Sequence, residues 1–272
     1  MNRKALLGTL LAVGLAVGAF FVMRFFPPVH MPRRLFYDSV VTVTKNGKQV
    51  TDTIWTRVPD FTMVNQLGDT VSMKDLEGKI IVADFFFTRC PSICPQMTKN
   101  MKMLQQSIRS NDKVGNREAN FIQFISFSVD PERDSVAELK KYADRFQVDP
   151  QNWWLLTGDK KEIYNIALKG MSLGITEGTI DTSFIHPTHF VLIDKSRVVR
   201  ARKDNLGNVD LYNGRDSVDL KNLAEDVIFL SVEKDPNKKS KLSGKLEIIA
   251  VVFGLVILGL ILLFTFLKKE KR

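Results

Sequence analysis

The sequence predicts an α/β fold, an open sheet with both faces covered by helices. Three observations predict it. Short apolar runs of strand length recur at residues 80–87 (IIVADFFF), 121–129 (FIQFISFSV), 153–156 (WWLL) and 190–193 (FVLI). Helix-forming stretches follow the first three runs, and a hairpin and a final helix follow the fourth. The chain has 272 residues, 44% of them apolar and 25% charged, enough for one or two domains and incompatible with wholesale disorder.

The elements follow in chain order. Residues 5–23 (ALLGTLLAVGLAVGAFFVM) carry no charge and match the length that spans a bilayer core. The run ends in Phe and Met rather than in small residues, which favours an uncleaved anchor over a signal peptide. No cysteine lies near it, so lipoprotein-type anchoring is excluded. Thr- and Val-rich stretches around Asn46-Gly47 then read as a hairpin. The strand at 80–87 leads through two cysteines into a helix at 94–110. The strand at 121–129 leads to a helix at 135–146, opened by a capping box of Ser135 and Glu138. The strand at 153–156, closed by Thr157-Gly158, leads to a helix at 160–168 capped by Asp159. The strand at 190–193 pairs back with 198–201 across a turn at 194–197, and a helix follows over Ser217–Val232. Residues 246–267 (LEIIAVVFGLVILGLILLFTFL) form a second membrane run. The expected organisation is therefore an anchor at 1–28, a domain at 36–235 and a C-terminal transmembrane helix at 246–267. The order of strands and helices is that of thioredoxin-like folds.

Charge excludes one class of partner. The formal net charge is +9, but Arg3 and Lys4 supply +2 and the five C-terminal residues +3, leaving +4 for everything between. No basic cluster interleaved with aromatics is present, so nucleic acid is not an expected partner. The basic ends fit membrane flanks. The cations flanking the two runs are nearly balanced, and the short cationic tail leans towards a cytoplasmic location for both termini. The first residues lack the amphipathic Arg/Ser-rich character of a transit peptide, which points to a bacterial source.

Chemistry-bearing residues are few. Two cysteines cannot staple a scaffold. Cys90 and Cys94 lie in TRCPSICPQM, where a strand enters a helix. An i, i+4 spacing puts both sulfurs on one face of a first turn, and a helix N-terminus favours thiolate. Such a pair is either a redox dithiol or a soft-metal clamp. The chain has three histidines: His30 beside the membrane run, and His186 and His189 in FIHPTHFVLID at the lip of a strand. Two thiolates and an imidazole suit Cu(I), or Cu(II) in a tuned site, better than structural zinc, which takes four ligands. Met97, Met101 and Met103 read as core packing, with thioether ligation as the alternative. Trp153-Trp154 reads as strand packing, and residues 128–134 (SVDPERD) as a turn and helix cap. No phosphate-binding glycine loop and no hydrolase triad signature appears.

DFFFTRCPSICPQMT, FSVDPERDSVAELKKYADRF, WWLLTG and FIHPTHFVLIDK together closely resemble the Sco (SenC/PrrC) family of copper chaperones, over most of residues 58–205. The resemblance implies a thioredoxin-like fold and one copper ion held by Cys90, Cys94 and His186. It implies a role in assembling the binuclear copper site of cytochrome c oxidase subunit II. Asp130 matches the family's aspartate near the site, in an outer or partner-facing role, and His189 is an alternative ligand. The C-terminal membrane run is a departure from the family's usual single N-terminal anchor. Two functions follow as expectations: a membrane-anchored metallochaperone serving subunit II or another copper oxidase subunit, or a membrane-anchored thiol–disulfide oxidoreductase acting on a copper protein's cysteines. Either works with a thiol–disulfide reductant as partner. Either places the domain on the extracytoplasmic, periplasmic side of the cell inner membrane, with both termini cytoplasmic.

Overall fold

The computed structural model describes residues 32–45, 48–111, 121–171, 173, 188–203 and 209–233. The chain divides into two units, Met1–Val232 and Glu233–Arg272, and of the second only Glu233 is described. Among the described residues no helix is long and apolar enough to cross a membrane. Both expected membrane runs, 5–23 and 246–267, lie outside the described residues.

In chain order the elements are β1 (Arg33–Arg34), β2 (Tyr37–Lys45), β3 (Lys48–Trp55), β4 (Thr62–Asn65), β5 (Thr70–Ser72), β6 (Ile80–Phe86), α1 (Ile93–Asn111), β7 (Ile122–Ser128), α2 (Val136–Phe146), β8 (Trp153–Thr157), α3 (Lys160–Asn165), β9 (His189–Ile193), β10 (Val199–Lys203), β11 (Val209–Asp210), β12 (Tyr212–Asn213) and α4 (Ser217–Val232). The main sheet runs β1-β10-β9-β6-β7-β8-β4-β5, with β11 on β10 and β12 on β9. Strands β6, β7 and β8 are parallel, and β9 returns antiparallel beside β6. This is the α/β, thioredoxin-like arrangement that the alternation predicts.

Every residue of β6 and β7 is buried, because both faces of the sheet are covered. On one face Ile80, Val82 and Phe86 pack with Cys94, Met97 and Met101 of α1, Leu139 and Tyr142 of α2, and Leu223 and Val227 of α4. On the other, Ile81, Ala83 and Phe85 pack with Val58, Phe61, Leu76, Ile163 and Ala167. Strict alternation along β6 thus feeds two separate cores.

Helix starts follow their caps. Ser135 accepts the Glu138 N–H at 3.4 Å and opens α2. Asp159 accepts the Glu162 N–H at 2.9 Å and opens α3, while the Glu162 carboxylate accepts the Thr62 N–H of β4 at 3.2 Å. The helix expected at 160–168 holds α geometry only to Asn165, then widens into a π turn at Ile166–Gly170. That turn seats Gly170 against Pro59, where a Cβ would meet the proline Cδ at 2.7 Å.

Two features escape sequence patterning. β4 and β5 span four and three residues, too short to show a period. Local bonds build them: Asn65 Oδ1 accepts the N–H groups of Leu67 and Asp69, and Gly68 takes a φ of +88°. The hairpin of β2 and β3 pairs from Tyr37↔Trp55 to Lys45↔Lys48, as the Asn46-Gly47 signal predicts, but forms a two-stranded sheet of its own.

Candidate functional site

The candidate site lies past the carboxyl end of β6. The chain leaves the sheet at Phe86 and turns, with the Cys90 N–H donating to the Phe87 carbonyl at 3.2 Å. α1 begins at Ile93. Cys90 therefore precedes the helix instead of sharing its first turn with Cys94, and the two thiols meet across the helix start. Cys90 caps the helix: its Sγ accepts the Cys94 N–H at 3.4 Å.

The two thiols differ in character. Cys90 is half-buried and Cys94 is fully buried. Burial opposes ionisation of Cys90, but hydrogen bonds from the Cys94 N–H, the Cys94 thiol and the N–H groups of Ser92 and Ile93 outweigh it, and its pKa falls below the ordinary thiol range. Burial pushes the Cys94 thiol far up, and the hydrogen bond to Cys90 and the charges of Cys90 and Asp84 push the same way. Below Cys94, Thr98 donates to its carbonyl at 2.8 Å and meets the Tyr142 hydroxyl at 2.8 Å.

Asp84 is the polar residue under this pair that patterning misses. It sits inside the apolar run of β6, opposite Ser126 of β7, and is 1% exposed. Burial raises its carboxyl to about 7, against the opposing hydrogen bond from Ser126. Its Oδ1 has no hydrogen-bond partner among the described residues. A lone aspartate in an otherwise apolar strand is the signal that sequence offered.

A second positioning residue is Asp134, which sequence reading absorbed into a turn and helix cap. It is fully buried and accepts from the Thr88 N–H at 3.1 Å, the Thr88 hydroxyl and the Ser128 hydroxyl at 2.6 Å. It thereby ties the loop that carries Cys90 to the end of β7. Asp130 stands at the start of the same turn, its carbonyl accepting the N–H groups of Arg133 and Asp134. Its carboxyl is raised by burial and by Asp134, against the charges of Arg133 and Arg89, and lies 3.8 Å from Arg133 Nη1. The structure thus places Asp130 beside the cysteine loop, with Arg89 reaching the Arg133 carbonyl at 3.3 Å.

Of the three histidines, His189 falls among the described residues. His189 opens β9 opposite Asn213 and lines a cavity of about 570 Å³ with Arg202, Asp210, Tyr212 and Asn222. Its parity is that of Val191 and Ile193, whereas Cys94 packs with Phe190 and Leu192 on the other face. His186 and His30 lie outside the described residues. Among the described residues no group of three His, Cys, Asp or Glu side chains is arranged to hold a metal ion. Met97 and Met101 are fully buried core residues, as expected, whereas Met103 is 56% exposed and does not pack in the core. Trp153 packs in the core and donates to Ser126 at 3.0 Å.

The SCO1/SenC family model matches residues 51–211. The SCO1 protein homolog of Bacillus subtilis (strain 168) is 35% identical over 182 residues, 66% of this chain and 86% of that one. The solved structure of BsSco, described as a member of the Sco family of cytochrome c oxidase assembly proteins with a disulfide switch, is 34% identical. It aligns with a TM-score of 0.55 over 67% of this chain and 98% of its own. The crystal structure of yeast Sco1 with copper bound shares the fold at 22% identity and a TM-score of 0.50, over 68% of this chain and 98% of that one.

Proposed function

Because the chain belongs to the SCO1/SenC family, we propose that it is a membrane-anchored metallochaperone whose cargo is one copper ion, taken up by Cys90, Cys94 and His186. It delivers that copper to, or prepares, the binuclear copper site of cytochrome c oxidase subunit II. The observation that carries this reading is the dithiol at the start of α1, where one sulfur is half-buried and activated and the other is buried behind it. Thiolate and imidazole donors suit Cu(I), and a half-open pair exchanges its cargo where a closed site would not.

The third ligand is supported by chain reach. Thr188 accepts the Gly214 N–H at 2.7 Å, and Gly214 accepts from Asn100 of α1 at 2.7 Å. The entry to β9 is thus tied to the helix that carries Cys94. His186 stands two residues earlier, a span of at most about 7 Å of extended chain. The membrane runs 5–23 and 246–267 support anchoring at both ends, and the family resemblance supports the extracytoplasmic side of the inner membrane, in the layer of its acceptor.

The test is Cu(I) binding by the reduced, anaerobic full chain in detergent. We expect one copper per chain, lost in Cys90→Ala and greatly weakened in His186→Ala but not in His189→Ala. Binding indifferent to His186 overturns the three-ligand site.

A second reading has its own observation. An activated, accessible Cys90 backed by a protonated, buried Cys94 is the arrangement of an attacking and a resolving thiol. As an oxidoreductase the protein would reduce a target disulfide: Cys90 thiolate attacks one sulfur and expels the other as thiolate. Cys94, deprotonated, then attacks Cys90 and releases the reduced target. A Cys90–Cys94 disulfide remains, for an external thiol reductant to reduce.

A further inference from the structure

Arginines far apart in sequence stand on the loop that carries Cys90, on the loop bonded to it, and against the start of the helix that Cys90 caps. Arg89 precedes it in the loop after β6, and Arg89 Nη2 donates to the Arg133 carbonyl of the loop after β7 at 3.3 Å. Arg215, in the turn between β12 and α4, donates from Nε to Gln96 of α1 at 3.3 Å, one turn beyond Ile93. All three side chains are exposed, as is Lys99 on α1.

The arginines at and just before β10 are paired with carboxylates. Arg197 meets Asp60 at 2.9 Å, Arg200 meets Asp194 at 2.7 Å, and Arg202 meets Asp226 at 2.6 Å. Arg89 and Arg215 have no carboxylate partner among the described residues, and Arg133 has only Asp130 at 3.8 Å. Nearby carboxylates are engaged. Glu132 meets Lys160 at 3.4 Å, and Asp216 accepts the N–H groups of Val218 and Asp219 at the start of α4.

We propose that this arginine rim is a docking face for an acidic segment of a partner protein, one that brings its own cysteine sulfur to Cys90. The inference rests on Cys90 being the reactive thiol of the proposed site. Guanidinium groups are weakly hydrated forks that match carboxylates bidentately, so a rim of exposed arginines selects carboxylate-rich surfaces. Complementary charge around a reactive centre raises encounter rates and rejects wrong partners. The rim depends on two loops joined by Arg89 and on a third set against α1 by Arg215, so the weakly basic average of the domain conceals it.

The test uses the reduced full chain in non-ionic detergent with two synthetic peptides. They are identical except that Glu or Lys flanks one cysteine, which is activated as a thionitrobenzoate mixed disulfide. Cys90 thiolate attacks the peptide sulfur, a new Cys90–peptide disulfide forms, and thionitrobenzoate leaves as the measured thiolate. Rates are divided by those with neutral iodoacetamide, which removes effects on thiol acidity. At low salt we expect the Glu peptide to react about tenfold faster than the Lys peptide, the ratio falling towards one at high salt. Arg215→Gln and Arg133→Gln, remote in sequence from Cys90, should each lower the ratio severalfold while circular dichroism stays unchanged.

A ratio near one at low salt, or one indifferent to both variants, overturns the proposal. Protection of Cys90 by phosphatidylglycerol vesicles but not by phosphatidylcholine vesicles, abolished in Arg215→Gln, also overturns it by showing a lipid-facing rim. Copper binding is measured separately, so selectivity lost with copper binding intact sinks the docking face alone, and copper binding lost with selectivity intact sinks the chaperone reading alone.

Discussion

Asp134, itself fully buried, holds Thr88 twice, through its backbone N–H and through its hydroxyl. The carboxylate also accepts from Ser128 at 2.6 Å, so one buried charge fixes the end of β7 to the loop that carries Cys90. A buried carboxylate that loses its partners, or partners that lose their carboxylate, cost about 1–3 kcal/mol each.

Asp134→Ala should therefore destabilise the protein by about 3–5 kcal/mol, and Asp134→Asn by less. Thr88→Val, which removes one bond, should cost about 1–2 kcal/mol. Urea unfolding followed by far-ultraviolet dichroism measures both. Asp134→Ala with unchanged stability would show that the loop is held by other contacts.

Alkylation should distinguish the two thiols. Reduced protein treated with limiting iodoacetamide at neutral pH should label Cys90 at least tenfold faster than Cys94, because hydrogen bonds favour one thiolate and burial opposes the other. The rate at Cys90 should fall off with acid at a lower pH than for a free cysteine. Peptide mapping after a time course reads the ratio, and equal labelling contradicts the capping geometry.

Asp84 carries a pH signature. Its folded carboxyl is raised from 3.8 to about 7, so between these values the folded state holds a proton that the unfolded chain has released. Stability should therefore fall as pH rises through this window, by up to about 4 kcal/mol. Asp84→Asn should flatten that slope and be more stable than the parent at pH 8. A parent and variant with parallel stability–pH curves would remove Asp84 as the cause.

Gly214 should resist substitution without any left-handed backbone requirement. A Cβ there would lie 3.0 Å from Met97 Cε and 3.1 Å from the Phe190 ring, between α1 and β9. Gly214→Ala should cost about 1–3 kcal/mol from overpacking. Met97→Ala should relieve the clash, so a double-mutant cycle should show coupling above about 0.5 kcal/mol.

The clamp behind β10 offers a third stability test. Asp226 is fully buried and accepts from the Tyr212 hydroxyl at 2.6 Å and from Arg202 at 2.6 and 3.0 Å. Asp226→Ala should cost about 2–3 kcal/mol, since it strands the buried Tyr212 hydroxyl and removes two of the Arg202 bonds, while Glu225 and Asn222 still hold the guanidinium. Tyr212→Phe should cost only about 1 kcal/mol. Thermal unfolding with matched far-ultraviolet spectra checks the order.

The sequence by itself determined the elements whose signals are local. The apolar runs of β6, β7, β8 and β9, the caps Ser135 and Asp159, and the placement of Cys90 and Cys94 at a strand-to-helix junction are all legible, because each depends on neighbours a few residues away. Only the tertiary structure decided what depends on distant segments. It set Cys90 before α1 as a cap and buried Asp84 and Asp134 against partners on other strands and loops. It also joined Arg89 to the loop of Arg133 and set Arg215 against Gln96 of α1. The physical reason is that burial, hydrogen-bond partners and charge neighbours are set by packing between segments, and no period along one segment encodes them.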